Sequence, residues 1–163
     1  MAEYNPKLVI IHDGVYIEPG VTLGTKPFFY RKTIEKLFPV EIYPGVFIHA
    51  GTNICAGIEG PTIIRAHVKI DAHCHIAHDC DIGENTIMAA GTVLGGFVKI
   101  GANCRLGLGV IVKNRVTIAD NTVIGMGCII THSVKGGIIT KPNYVSGSKA
   151  ERLKCLVANR RIF

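Results

Sequence analysis

The chain has 163 residues, a length that suits a single domain, and it carries 18 Lys and Arg against 12 Asp and Glu, a net charge of +6. No 18-residue stretch is apolar, and MAEYNPKLVI lacks a basic region followed by a long apolar run, so neither a membrane span nor a signal peptide is expected and the cytoplasm is the expected compartment. Basic and aromatic residues do not interleave, which argues against nucleic acid as a partner.

The first organised stretch is VIIHDG, VYIEPG and VTLGTK (9–26), three groups of six with an aliphatic residue at the head of each. Residues 27–41 then break the pattern. They hold Phe28, Phe29 and Tyr30 in succession and two prolines, and they read as an excursion loop. Packing against the coil or another subunit is one reading of it, and a lid over a bound nucleotide or acyl group is the other. The register resumes at IYPGVF, IHAGTN and ICAGIE (42–59), and GPTI (60–63) reads as a short bulge at a corner.

From 64 to 135, twelve hexads follow without a slip. Position one is always Ile, Leu, Val or Met, position five is always Val, Thr or Cys, and position two is Gly or Ala in eight of the twelve. A short fixed period of this kind is the mark of a solenoid. Positions one and five point inward, the other residues cross corners or face outward, and three sides close a coil of 18 residues. The expected fold is therefore all-β, a parallel β-helix of about six coils in one domain. A β-sandwich would show turn signals every 8 to 12 residues instead.

Four of the six cysteines (Cys74, Cys80, Cys104, Cys128) fall at the inward fifth position, where they serve as small hydrophobes, so no disulfide or Cys-based metal site is expected. Gly136-Gly137 ends the coil. A capping helix is expected at about 149–160, with Ser148 as N-cap and Glu151 three residues on. Its basic side chains, Lys149 and Arg152 among them, form either a solvated face or a contact with phosphates or an acidic carrier protein.

Chemistry has to come from the outward positions, and DAHCHIAHDCDIGEN (71–85) is the richest stretch. His78 stands third in its hexad. One coil later the same place is Gly96, beside Gly95, and two coils later it is Asn114, beside Arg115. A neutral imidazole is a good general base near pH 7, and a bare glycine lets its N–H face a developing oxyanion. Asp79 can orient a ring across a subunit interface. His67, His75 and His132 read as outward structural residues, whereas His73, one hexad before His78, can contact an acceptor.

IAHDCDIGENT followed by AAGTVLGGFVKIGANC resembles the hexapeptide-repeat, left-handed parallel β-helix acyltransferases over about residues 42–150. It is similar to the nucleotide-sugar N-acetyltransferases of the bacillosamine and sialic-acid type, and to the UDP-3-O-acylglucosamine N-acyltransferases. The left hand comes from this resemblance. It implies His78 as base, Gly96 N–H on the thioester oxygen and Asp79 as the residue following the base. It further implies a homotrimer with sites between subunits, acetyl-CoA as donor without a metal, a nucleotide-linked amino sugar as acceptor, and a place in cell-surface polysaccharide biosynthesis. The donor is expected at Gly95, Phe97, Asn114, Arg115, Lys141, Lys149 and Arg152, and the acceptor at His73, Phe29, Tyr30 and Arg31.

There are departures. Both groups carry an N-terminal nucleotide-binding domain, whose place is expected to be taken here by one coil and the 27–41 loop, and Arg115 stands where the lipid A enzymes have a second His. One alternative is a longer-chain N-acyltransferase of the lipid A type using an acyl carrier protein. Another is a γ-class carbonic-anhydrase-like zinc protein, since His73 and His78 form H-x4-H and TNICAG (52–57) resembles a motif of that family; Cys55 and Ala56 depart from it and no third His follows. A non-catalytic β-helix scaffold is the last. Zinc content separates the anhydrase reading, and thiol release from acetyl-CoA separates enzyme from scaffold.

Overall fold

The computed structural model describes residues 3–4, 6–28 and 36–139. They form twenty short strands in three sheets, all strand pairs parallel, wound as a three-sided solenoid of about six turns, the architecture of the left-handed β-helix class. Face one stacks Glu3–Tyr4, Thr22–Thr25, Asn53–Cys55, His75–Ile76, Val93–Leu94, Ile111–Val112 and Ile129–Ile130. Face two stacks Val9–Ile11, Val40–Ile42, Thr62–Ile64, Asp81–Ile82, Lys99–Ile100 and Thr117–Ile118. Face three stacks Tyr16–Ile17, Phe47–Ile48, Lys69–Ile70, Ile87–Met88, Arg105–Leu106, Val123–Ile124 and Ile138–Ile139. Among the described residues no helix is long and apolar enough to cross a membrane.

The hexad explains each feature of this stack. Head residues such as Ile70, Ile76, Ile82, Met88 and Leu94 are fully buried and fill the interior layer by layer. Truncating one to Ala in so close-packed a core costs about 2–5 kcal/mol. Fifth-position residues complete each layer. Cys74, Cys80, Cys104 and Cys128 are buried there as free thiols, and the buried threonines are satisfied locally, Thr86 Oγ1 donating to Gly101 O at 2.9 Å. Where position two is glycine, the next coil passes directly over it. A Cβ on Gly95 would lie 2.6 Å from Asn114 N, and one on Gly107 2.6 Å from Met126 N.

Corners are made at the fourth position. Every fourth residue from His67 to Gly127 has φ between 57° and 71°, the left-handed region. Backbone N–H groups at positions two, four and six run the ladder from coil to coil.

The two breaks differ from their sequence reading in detail. The long excursion returns to the coil at Val40, because Val40–Ile42 pairs with both Val9–Ile11 and Thr62–Ile64 in face two. Its boundary is thus earlier than residue 41, as Val40 and Ile42 are needed to fill the core. Just before, Phe38 exchanges two backbone hydrogen bonds with Gly57 (2.9 and 3.0 Å), so the end of the excursion is pinned to the second break. That break adds four residues to one coil: His75 pairs with Asn53, 22 residues back, and with Val93, 18 residues on. The expected capping helix at about 149–160 lies outside the described residues.

Candidate active site

Three columns of corners run along the solenoid, and one of them carries the candidate chemistry. It joins face one to face two and contains His78, Gly96 and Asn114 at successive third positions, with Asp79, Phe97 and Arg115 beside them at the fourth.

His78 Nδ1 lies 2.7 Å from Asp79 Oδ2. The carboxylate can only accept, so Nδ1 carries the proton and Nε2 is the basic nitrogen. Both side chains are sheltered, 13% exposed for His78 and 6% for Asp79. The pair forms within one chain rather than across an interface. The left-handed backbone at Asp79 (φ 59°) turns its side chain back toward its neighbour, which an extended backbone would not do.

Asp79 is held from the other side by the second break. The amides of Ile58 (3.0 Å, to Oδ2), Glu59 (2.8 Å, to Oδ1) and Gly60 (2.7 Å, to Oδ1) all donate to its carboxylate. Its own N–H donates to Thr62 Oγ1 at 2.9 Å. Three converging backbone donors make a concave anion cradle. This is the part of the site that the sequence reading missed. The only signal was four extra residues inserted one coil ahead of His78, at the same corner.

Gly96 is buried, and a Cβ there would sit 2.5 Å from His78 Cε1 and 2.6 Å from Nε2. Glycine is required because the imidazole lies against its Cα. The Gly96 N–H takes no part in the coil-to-coil ladder, although the Gly96 carbonyl accepts from Arg115 N at 2.9 Å. The imidazole also meets the edge of Phe97 (centroids 5.1 Å, planes at 89°), and the Arg115 guanidinium lies 4.2 Å from the Phe97 centroid.

The structure thus gathers His78, Asp79, Gly95, Gly96, Phe97, Asn114 and Arg115 at one corner. Gly95 makes room there for the Asn114 backbone. His73 lies at a different corner, between faces three and one, with its ring over Gly51. Phe29, Tyr30, Arg31, Lys141, Lys149 and Arg152 lie outside the described residues. Among the described residues no three His, Cys, Asp or Glu side chains gather as a metal site requires.

A further polar chain runs along face one. Thr25 Oγ1 donates to Asn53 Oδ1 (2.9 Å), and Asn53 Nδ2 lies 3.2 Å from His75 Nδ1. With Asn53 donating, His75 carries its proton on Nε2. Burial lowers the His75 pKa, which favours the neutral ring.

Residues 61–96 match the family model described as bacterial transferase hexapeptide (six repeats), and the same six-residue repeat forms the three-sided parallel coil on either side of them. It is similar to the UDP-3-O-acylglucosamine N-acyltransferase of Christiangramia forsetii, 43% identical over 91 residues, which is 56% of this chain and 25% of that protein. The chain spans about a quarter of the length of such curated relatives; for one from Helicobacter pylori the share is 28%. Two solved structures share the fold. LpxA from Acinetobacter baumannii has a TM-score of 0.69 at 20% identity, covering 95% of this chain and 75% of that one. The acetyltransferase domain of PglB from Neisseria gonorrhoeae, in complex with acetyl coenzyme A, has a TM-score of 0.58 at 19% identity, covering 82% and 54%.

Proposed function

We propose that the protein transfers an acetyl group from acetyl-CoA to the amine of a nucleotide-linked amino sugar. The observation that carries this reading is the His78–Asp79 pair, closed at 2.7 Å and packed on the bare Gly96. The amine nitrogen attacks the thioester carbon, and His78 Nε2 takes its proton. As the carbon becomes tetrahedral, the Gly96 N–H donates to the oxyanion. The C–S bond then breaks, the proton passes to the departing sulfur, and CoA leaves as the free thiol. Asp79, fixed by three amides, holds the imidazole in the tautomer this requires and balances the charge it gains. A base in this position contributes about 10²–10⁴ in rate and an oxyanion donor about 10²–10³.

The named relatives support the substrate classes: one acylates the nitrogen of a UDP-linked glucosamine derivative, and the PglB domain holds acetyl coenzyme A. The same 43% match favours a second reading, in which the acyl group is longer than acetyl and comes from a carrier protein. A homotrimer is supported by an exposed apolar strip on face one, Val93, Ile111 and Ile129, with Leu108 and Met126 on the adjoining corner. A strip of that kind marks an interaction surface. The test is thiol release from acetyl-CoA across a panel of nucleotide-linked 3-amino and 4-amino sugars. Acceptor-dependent release supports the reading. No release with acetyl-CoA, but turnover with acyl carrier protein thioesters, moves the chain to the second reading.

A further inference from the structure

Arg115 is an odd residue at its place in the repeat. It is exposed, and its backbone is left-handed (φ 62°), as is that of Phe97 one coil before it (φ 62°). Long and aromatic side chains lose energy in that region, and such outliers collect at functional sites. The guanidinium is not directed outward along a free stem. It lies on the Phe97 ring at 4.2 Å, and the same ring touches His78 at 5.1 Å. Among the described residues no carboxylate pairs with it. Lys113, two residues away, is also exposed, so the corner beyond His78 carries two cations.

We infer that Arg115, pre-set on Phe97, binds a phosphate of the acceptor's diphosphate and so fixes which sugar amine meets His78. The inference rests on the reading of the acceptor given above. The spacing separates it from the alternative that Arg115 holds the donor. Both groups lie on the one Phe97 ring, the guanidinium 4.2 Å and the imidazole 5.1 Å from its centroid, so the two are near neighbours. In a nucleotide-linked sugar, one ring separates the amine from the nearest phosphate. In acetyl-CoA the whole pantetheine arm separates the thioester from its nearest phosphate. A planar guanidinium held against a ring also suits a phosphate's paired oxygens, since little freedom remains to be lost on binding.

The test is binding, measured by titration calorimetry on wild type, Arg115→Gln and Arg115→Lys. The probes are UDP, GDP, dTDP and CoA. The expected result is that one or more nucleoside diphosphates bind wild type, and that Arg115→Gln weakens that binding about 10- to 100-fold, the range of a charge-assisted hydrogen bond. CoA binding stays unchanged, and Arg115→Lys recovers only part of the loss. Weakened CoA binding with diphosphate binding intact would assign the residue to the donor and overturn the proposal. Equal affinity in all three proteins, or no diphosphate binding by wild type, would also overturn it. Because no turnover is read, failure of the acetyl-transfer reading is seen separately, as absence of thiol release from a protein whose diphosphate binding still depends on Arg115.

Discussion

At the corner between faces two and three, the fourth hexad position follows His67 (φ 59°) with Asn85, Asn103 and Asn121, each with φ 57°. Asn tolerates left-handed backbone, and this corner closes on itself, Asp120 Oδ1 accepting from Ala102 N–H at 2.8 Å. At the corner between faces one and two, in the same coils, that position is Asp79, Phe97 and Arg115. Left-handed backbone costs an ordinary L-residue about 1–2 kcal/mol, so Phe and Arg stand there against local preference. The comparison teaches where to look in a repeat protein. One corner largely obeys the rule that folding sets, and the other departs from it where side chains meet His78, the proposed base.

Substitutions can break or sharpen this contrast. The largest effect after loss of the base itself is expected from Asp79→Ala. It frees His78 Nδ1 and leaves three backbone donors of the second break without their acceptor. Transfer should fall by about 10² or more, as for a misplaced catalytic group, and stability by about 1–3 kcal/mol. Steady-state kinetics and urea unfolding measure the two. Activity near wild type would remove Asp79 from the site.

Gly96→Ala comes next. Its Cβ would meet the imidazole at 2.5 Å, so the ring must leave its place, and kcat should drop by roughly 10–10² with the coil intact by circular dichroism. The reverse change at position two of the same corner, Ala77→Gly, should leave kcat within twofold.

A smaller effect separates the two corners directly. Asn121→Arg puts a long side chain on left-handed backbone without a ring beneath it, and should cost about 1 kcal/mol in urea unfolding with activity unchanged. Arg115→Asn should be near neutral for stability, because relief of the backbone offsets loss of a stack worth about 0.5–1 kcal/mol. Equal costs in both directions would mean that the corners do not differ.

The smallest signal is chemical. Burial pushes the Cys80 thiol up to about 12 and the Cys74 thiol up to about 11, so neither is appreciably thiolate at pH 8. In the native protein both should resist iodoacetamide, and in urea both should react, as read by peptide mass.

Much of this was legible in the chain. The hexad named the inward residues from Ile64 to Ile130, because a narrow triangular interior accepts only an aliphatic head and a small fifth residue. The column of His78, Gly96 and Asn114 follows from an 18-residue coil by counting. The cradle of Ile58, Glu59 and Gly60 does not. It is made of backbone amides, whose direction depends on how four inserted residues turn, and side-chain identity says nothing of that. The return of the excursion at Val40 is hidden in the sequence, because Pro39 and Glu41 flank it and mask a strand of three residues. In the sequence His75 looks like a plain outward residue, since its link to Asn53 and Thr25 joins coils 22 and 31 residues apart that the two breaks put out of the regular count.

The central claim is that chemistry belongs to one corner of an otherwise structural coil. Thiol release from acetyl-CoA, with the acceptor found in the panel, should be measured in parallel for wild type, His78→Ala and Asp120→Ala. The account predicts that His78→Ala loses at least 10² in rate while keeping the wild-type circular dichroism spectrum, and that Asp120→Ala turns over as wild type does. Turnover retained by a folded His78→Ala protein, or lost equally in Asp120→Ala, would contradict it.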